Sequence, residues 1–281
     1  MLQKLLKYDF KALRRFGIPA IIALAALIPV SGVGAYFYIR WVEALAAKEN
    51  EVATVISSAT GILLFLGCIG ILYVAMIGIF VMILVDFYRS TATDEAYLTF
   101  TLPVTPRQII ASKTINAFLW QFVIGLLAVA AGLSLVIGLA AGMSSAEAVS
   151  GAIDEIPEYF YIDNMMTSKV VALVVIYILM TLVGVVSTTI ANFTAIFFGS
   201  VIAKKHKVLS ALGCMLGVYA LNAMVGSIIQ TVATVVTIGP AFDMITPYII
   251  TYAVLTVFHI GMVFVYYFIL KGLMTKRLNL Q

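Results

Sequence analysis

Charge is what this chain has least of: Asp, Glu, Lys and Arg make up 11% of its 281 residues, against 63% hydrophobic side chains. A soluble domain usually carries about 25% charged and about 45–50% apolar residues. The deficit excludes an ordinary water-soluble core and points to a polytopic membrane protein. Long polar stretches are missing as well. The longest, Arg40–Ala59, Asp86–Gln108 and Gly142–Lys169, are loop-sized, so residues 1–281 read as a single membrane domain. Cysteine is scarce. Cys68 and Cys214 both lie inside apolar runs, where buried packing is favoured over a disulfide or a metal site.

Catalytic and nucleotide-binding signatures are also missing. The chain has no H-E-x-x-H, no G-x-S-x-G, no Cys/His cluster and no G-x-x-x-x-G-K-[ST], so it is expected not to be an enzyme or to bind ATP by a P-loop. In the interiors of the apolar runs, away from their ends, His259 is the one residue among Asp, Glu, Lys, Arg and His, accompanied by the mild polar residues Asn116, Gln121, Asn192, Asn222 and Gln230. Ion-coupled carriers ordinarily bury carboxylates at mid-membrane, which argues against that class. His259 reads as hydrogen-bonded packing between helices rather than a proton relay. The net charge of +4 does not imply nucleic-acid binding, because cations in such a chain mark the ends of membrane segments.

What is there is six apolar runs: Phe16–Ile39, Gly61–Val85, Ile109–Ala141, Val170–Ala203, Val208–Ile238 and Tyr248–Leu270. Each is long enough for the roughly 20 helical residues that a bilayer takes. The backbone must satisfy itself there, so the runs are expected to be helices, and the alternation of a β-barrel is absent. The first run is too long for a signal-peptide core and is expected to be retained. Six crossings put both termini on one side. With that side inside, Lys4, Lys7, Lys11, Arg14, Arg15, Arg89, Arg107, Lys113, Lys204, Lys205, Lys207, Lys271, Lys276 and Arg277 are cytoplasmic, 14 of the 17 cations. The positive-inside rule therefore predicts cytoplasmic termini and an extracellular loop at 142–169.

Two runs, Val170–Ala203 and Val208–Ile238, exceed a simple crossing and must tilt, bend or project. Glycine pairs Gly138–Gly142 and Gly213–Gly217 have the G-x-x-x-G spacing that lets helices approach closely, most simply within the chain.

The start of the chain is patterned. Leu2, Leu5, Leu6, Phe10 and Leu13 fall on one helical face, and Lys4, Lys7, Lys11, Arg14 and Arg15 on the opposite one. That pattern suits an amphipathic helix over residues 1–15, lying in the membrane interface against lipid.

The segment 86–113 is the most informative loop. In "DEAYLTFTLPVTPRQIIASK", Thr105, Pro106 and Gln108 form a capping box with proline at the first helical position, so a helix starts there. Upstream, Asp94 and Glu95 suit the N-terminus of a short helix that Pro103 ends. Its Tyr97, Leu98, Phe100 and Leu102 need a cover, either lipid or a groove on a partner.

This segment, following the second span and "DFYRS", resembles the cytoplasmic loop of ATP-binding-cassette (ABC) transporter permeases of the type-2 exporter class. The resemblance at residue level is confined to this loop; elsewhere it is architectural. It implies a bacterial half-transporter in the cell membrane that pairs with a second permease copy, or a related permease, and with two ABC ATPase subunits. ATP and magnesium would sit on those ATPases, and this chain would hold no cofactor. Asp94, Glu95, Tyr97, Leu98, Thr99, Phe100 and Leu102 would form the coupling helix that docks in an ATPase cleft. The cargo expected of such a path is hydrophobic or amphipathic: a peptide, drug or lipid. The competing readings are a secondary carrier or channel with no ATPase, and a membrane scaffold or intramembrane enzyme that transports nothing.

Overall fold

The structure is a computed structural model that describes residues 2–46, 51–93, 96, 104–142, 163–203, 205–237 and 245–278. Within these, side chains at 2, 16, 44–46, 51–66, 68, 69, 71, 72, 75, 163–167, 277 and 278 are not described. The architecture of the described residues is all-α, with no strand and six long helices: α1 (Leu2–Ala46), α2 (Glu51–Ala92), α3 (Pro106–Gly142), α4 (Asp163–Ile202), α5 (Lys207–Thr237) and α6 (Thr246–Leu278). Five stretches are long and apolar enough to cross a membrane: Gly17–Glu43 of α1, all of α3, Ser168–Ile202 of α4, all of α5, and Thr246–Lys276 of α6. The remaining apolar run of the sequence, Gly61–Val85, lies inside the 42-residue α2.

The helices outrun the apolar segments. α1 is continuous for 45 residues, from the amphipathic start through the first apolar run. At about 1.5 Å per residue such a helix is far longer than a hydrocarbon core of roughly 30 Å. Pro19 and Pro29 sit inside it, a placement that membrane helices tolerate when neighbouring hydroxyls and helices supply polar contacts. Near Pro29 the Ile28 carbonyl accepts hydrogen bonds from Ser31 Oγ and from Ser134 Oγ of α3, both at 2.7 Å. α2 likewise continues past Val85 to Ala92, so 86–92 is helix rather than loop. Apolar Phe87 and Ala92 are buried there, and the hydroxyls of Ser90 and Thr91 donate back to the carbonyls of Asp86 and Phe87.

The chain divides into two compact units. One comprises Leu13–Met82 and Leu119–Tyr159, the other Met1–Ala12, Ile83–Phe118 and Phe160–Gln281.

In the first unit α1 and α3 run parallel in close contact. Gly17 lies against the Trp120 ring, Gly32 against Ser134, Gly138 against the Gly32 carbonyl, and Gly142 against Tyr36 and Ile39. A methyl group at Gly138 would overlap backbone that cannot step aside. The Gly138–Gly142 pair therefore serves packing within the chain. Leu24, Ile79 and Ile124 form the core where α2 joins this pair.

In the second unit the C-terminal half of α4 is the central helix. Ile190 and Ala191 pack with Tyr266 of α6, Thr194 donates to the Tyr266 carbonyl at 3.2 Å, and Gly199 fits against the backbone of Ala211 in α5. Most of the α5 surface is exposed apolar side chain, including Leu209, Leu216 and Tyr219, and Gly213 and Gly217 have open space before them. Large apolar side chains exposed on so many faces match lipid as the surrounding solvent.

Candidate functional site: a buried ion clamp at the root of the α2–α3 segment

The segment joining α2 and α3 leaves one helix at Ala92 and enters the next at Pro106. Both ends are firmly made. At the exit Thr93 donates its hydroxyl to the Arg89 carbonyl, and the Ala96 amide donates to the Thr93 carbonyl at 3.0 Å. Ala96 is buried. At the re-entry the Thr105 amide donates to Gln108 Oε1 at 3.0 Å, while the Thr105 carbonyl accepts from the amides of Gln108 and Ile109. This is the reciprocal half of the capping box expected from T-x-x-Q, and α3 begins at Pro106 as the spacing predicts.

One turn further, Lys113 points inward. Its side chain is 8% exposed, and Nζ lies 2.8 Å from Asp9 Oδ1 and 2.8 Å from Asp86 Oδ2. Ser112 donates from Oγ to the other oxygen of Asp9 at 2.5 Å. The four residues join the N-terminal end of α1, the C-terminal end of α2 and the N-terminal end of α3, all inside one compact unit. A lone buried ammonium or carboxylate would be very costly, and mutual pairing with extra hydrogen bonds makes the arrangement tolerable.

Buried apolar side chains flank the clamp residues along α2 and α3. The Phe87 ring stacks on that of Phe193 from α4, with centroids 4.0 Å apart and planes within 8°. Phe87, Phe193, Ile109 and Ile110 are essentially inaccessible. Asn116, one turn below Ser112, is also buried, and its Oδ1 has no hydrogen-bond partner among the described residues.

The sequence reading placed Lys113 and Arg89 simply among loop cations and gave Asp9 no role. Asp9 is the one acid in the first 17 residues. At 100° per residue it falls in the middle of the apolar arc, between Leu5 and Leu13, and opposite the cations. An acid centred on an apolar stripe needs a buried counter-charge, and that was the available signal. Along this face Leu5 and Leu6 are half-buried and Leu13 is buried, while Phe10 is 41% exposed. Lys4, Lys7, Lys11, Arg14 and Arg15 are all exposed. The side chain of Leu2 is outside the described residues, as are Asp94, Glu95, Tyr97, Leu98, Thr99, Phe100 and Leu102.

Among the described residues no group of three or more His, Cys, Asp or Glu side chains is arranged to hold a metal ion. The clamp's ion pairs and hydrogen bond hold three helix ends together. No protein-family model, curated protein or solved structure matches the chain.

Proposed function

We propose that this chain is the membrane-embedded permease subunit of an ATP-driven exporter of the type-2 ABC class, with six crossings and both termini in the cytoplasm. α2 supplies the crossing at Gly61–Val85, and the first 15 residues of α1 meet the membrane interface. The observation that carries the reading is the clamp of Lys113 with Asp9 and Asp86. It lies at the base of the one loop whose sequence resembles an ABC coupling segment, and Lys113 is the last residue of that motif. A coupling segment transmits force only if its roots are stiff, and a buried, doubly paired lysine at the root supports that role.

In this reading residues 94–102 dock in a cleft of a separate ATPase, which binds ATP and magnesium. Two ATPase copies and a second permease copy, or a related permease, complete the transporter. ATP-driven closure of the ATPases moves the helix ends through the clamp and alternates access for a hydrophobic or amphipathic cargo. These 281 residues hold no G-x-x-x-x-G-K-[ST] loop, which fits a reading in which ATP binds on the ATPases.

Extraction in mild detergent from the native membrane tests the proposal. A P-loop ATPase should co-purify in stoichiometric amount, and Phe100→Asp should abolish that association while membrane insertion persists. Transport by a purified preparation free of any ATPase would overturn the proposal.

A further inference from the structure

A second polar feature lies away from the clamp, near the middle of α5 and α6. A cleft of about 310 Å³ opens between α4, α5 and α6, lined by Ser187, Thr188, Asn222, Ser227, Gln230 and His259, with Leu255 and Phe258 as an apolar wall. All belong to one compact unit. In apolar helices such a concentration of hydrogen-bonding groups is costly unless something meets it.

The hydrogen-bonding roles can be assigned atom by atom. His259 Nδ1 contacts the Leu255 carbonyl at 2.7 Å. A carbonyl can only accept, so Nδ1 carries the proton and a neutral ring leaves Nε2 as an acceptor. Gly184 lies beside that edge of the ring, where a methyl group would sit at ordinary contact distance, 3.8 Å from Nε2. Thr188 and Ser227 spend their protons on the carbonyls of Gly184 and Met224, which leaves their oxygens as acceptors. Asn222 Oδ1 accepts from the Tyr266 hydroxyl at 2.9 Å, so its amide N–H groups are left as donors. Gln230 contributes both a donor and an acceptor. Acceptors and donors thus face one cleft that no charged side chain lines.

We propose that this cleft binds an uncharged, amide-type group carried on an apolar body, the polar portion of an amphipathic cargo. The inference rests on the transport reading for the word cargo, but the binding itself needs no ATPase. An anionic or cationic headgroup would enter without a counter-charge. A bare hydrocarbon would leave the Asn222 and Gln230 amides unpaired. A neutral amide supplies one acceptor and one or two donors, which is the complement of the lining.

The test uses the full-length chain in lipid nanodiscs with no ATPase present. The probes are three diazirine-labelled amphiphiles with chains of equal length: dodecanamide, dodecanoate as the carboxylate, and dodecyltrimethylammonium. The amide probe should label α4–α6 saturably, and the two charged probes should not. Gln230→Leu, at an exposed position, should weaken amide binding by about tenfold, as expected for one well-placed hydrogen bond. Ser187→Ala is the second arm should that variant fail to insert, and it should weaken binding in the same direction. Equal labelling by all three probes, labelling spread over every helix, or amide binding unchanged in the inserted variants would overturn the proposal. Because binding alone is read, this outcome is independent of whether an ATPase is captured from the membrane.

Discussion

Lys113 and Asp9 meet at 2.8 Å although they lie in the first turns of different helices, α3 and α1 respectively. The contact ties the start of the third helix to the start of the first, and Asp86 closes the set from the end of the second. Removing one member of a buried ion pair leaves the rest uncompensated. Lys113→Met is therefore expected to destabilise the protein by about 3–5 kcal/mol, read as a lowered thermal unfolding midpoint in detergent. The triple variant Lys113→Met, Asp9→Leu, Asp86→Leu should recover most of that loss, since apolar replacement of a whole buried ion set is often neutral or better. An unchanged midpoint in Lys113→Met would show that the clamp does not hold the helix ends.

The two faces of α3 predict opposite outcomes for the same substitution. Gly138→Ala drives a methyl group into the Gly32 backbone and should cost about 1–3 kcal/mol or more. Gly125→Ala and Gly132→Ala face open space and should gain up to about 1 kcal/mol from helix propensity. Unfolding midpoints of the three single variants check the sign at each position.

The stacked pair Phe87–Phe193 should be coupled. Lipid is as apolar as a phenyl ring, so most of the value of the pair comes from ring contact rather than from escape from water. A double-mutant cycle through Phe87→Leu and Phe193→Leu is expected to give a coupling energy of about 0.5–1.5 kcal/mol. Strict additivity of the two single changes would contradict the stacked geometry.

The cap at the start of α3 can be tested locally. Gln108→Ala removes the acceptor for the Thr105 amide and should cost about 1 kcal/mol. The loss should appear as faster amide hydrogen exchange at 105–109, with little change in α4–α6. If protection falls evenly across the whole chain, the cap is not an independent local feature.

Much of the fold was legible in the sequence because it depends on local pattern. Apolar runs of membrane length became helices, T-P-R-Q became a capped helix start, and Gly138–Gly142 became a close approach between helices. The helix ends were less legible. Asp86, Arg89 and Ser90 look like loop residues by polarity, yet α2 carries them because Phe87 and Ala92 among them are buried and the hydroxyls of Ser90 and Thr91 bond back to the helix. The clamp was the least legible part. Asp9, Asp86 and Lys113 each have the ordinary look of a charge at the edge of an apolar run, and nothing local reveals that they converge. The position of Asp9 on the apolar arc was the single periodic clue. The polar cleft is similar: Asn222 and Gln230 stand out in the sequence as mild polar insertions and His259 as an ionisable one, but their convergence belongs to the packing of three helices.

The ion clamp also carries an order of events during synthesis. Asp9 leaves the ribosome 103 residues before Ser112, and Asp86 leaves 27 residues before Lys113. Until Lys113 emerges, the two carboxylates lack the ammonium that pairs with both of them, so the clamp stays open while the first two helices are made. The arrival of one lysine then locks three helix ends together. This fastening of α1 to α2 and α3 therefore has to wait until the third helix has begun.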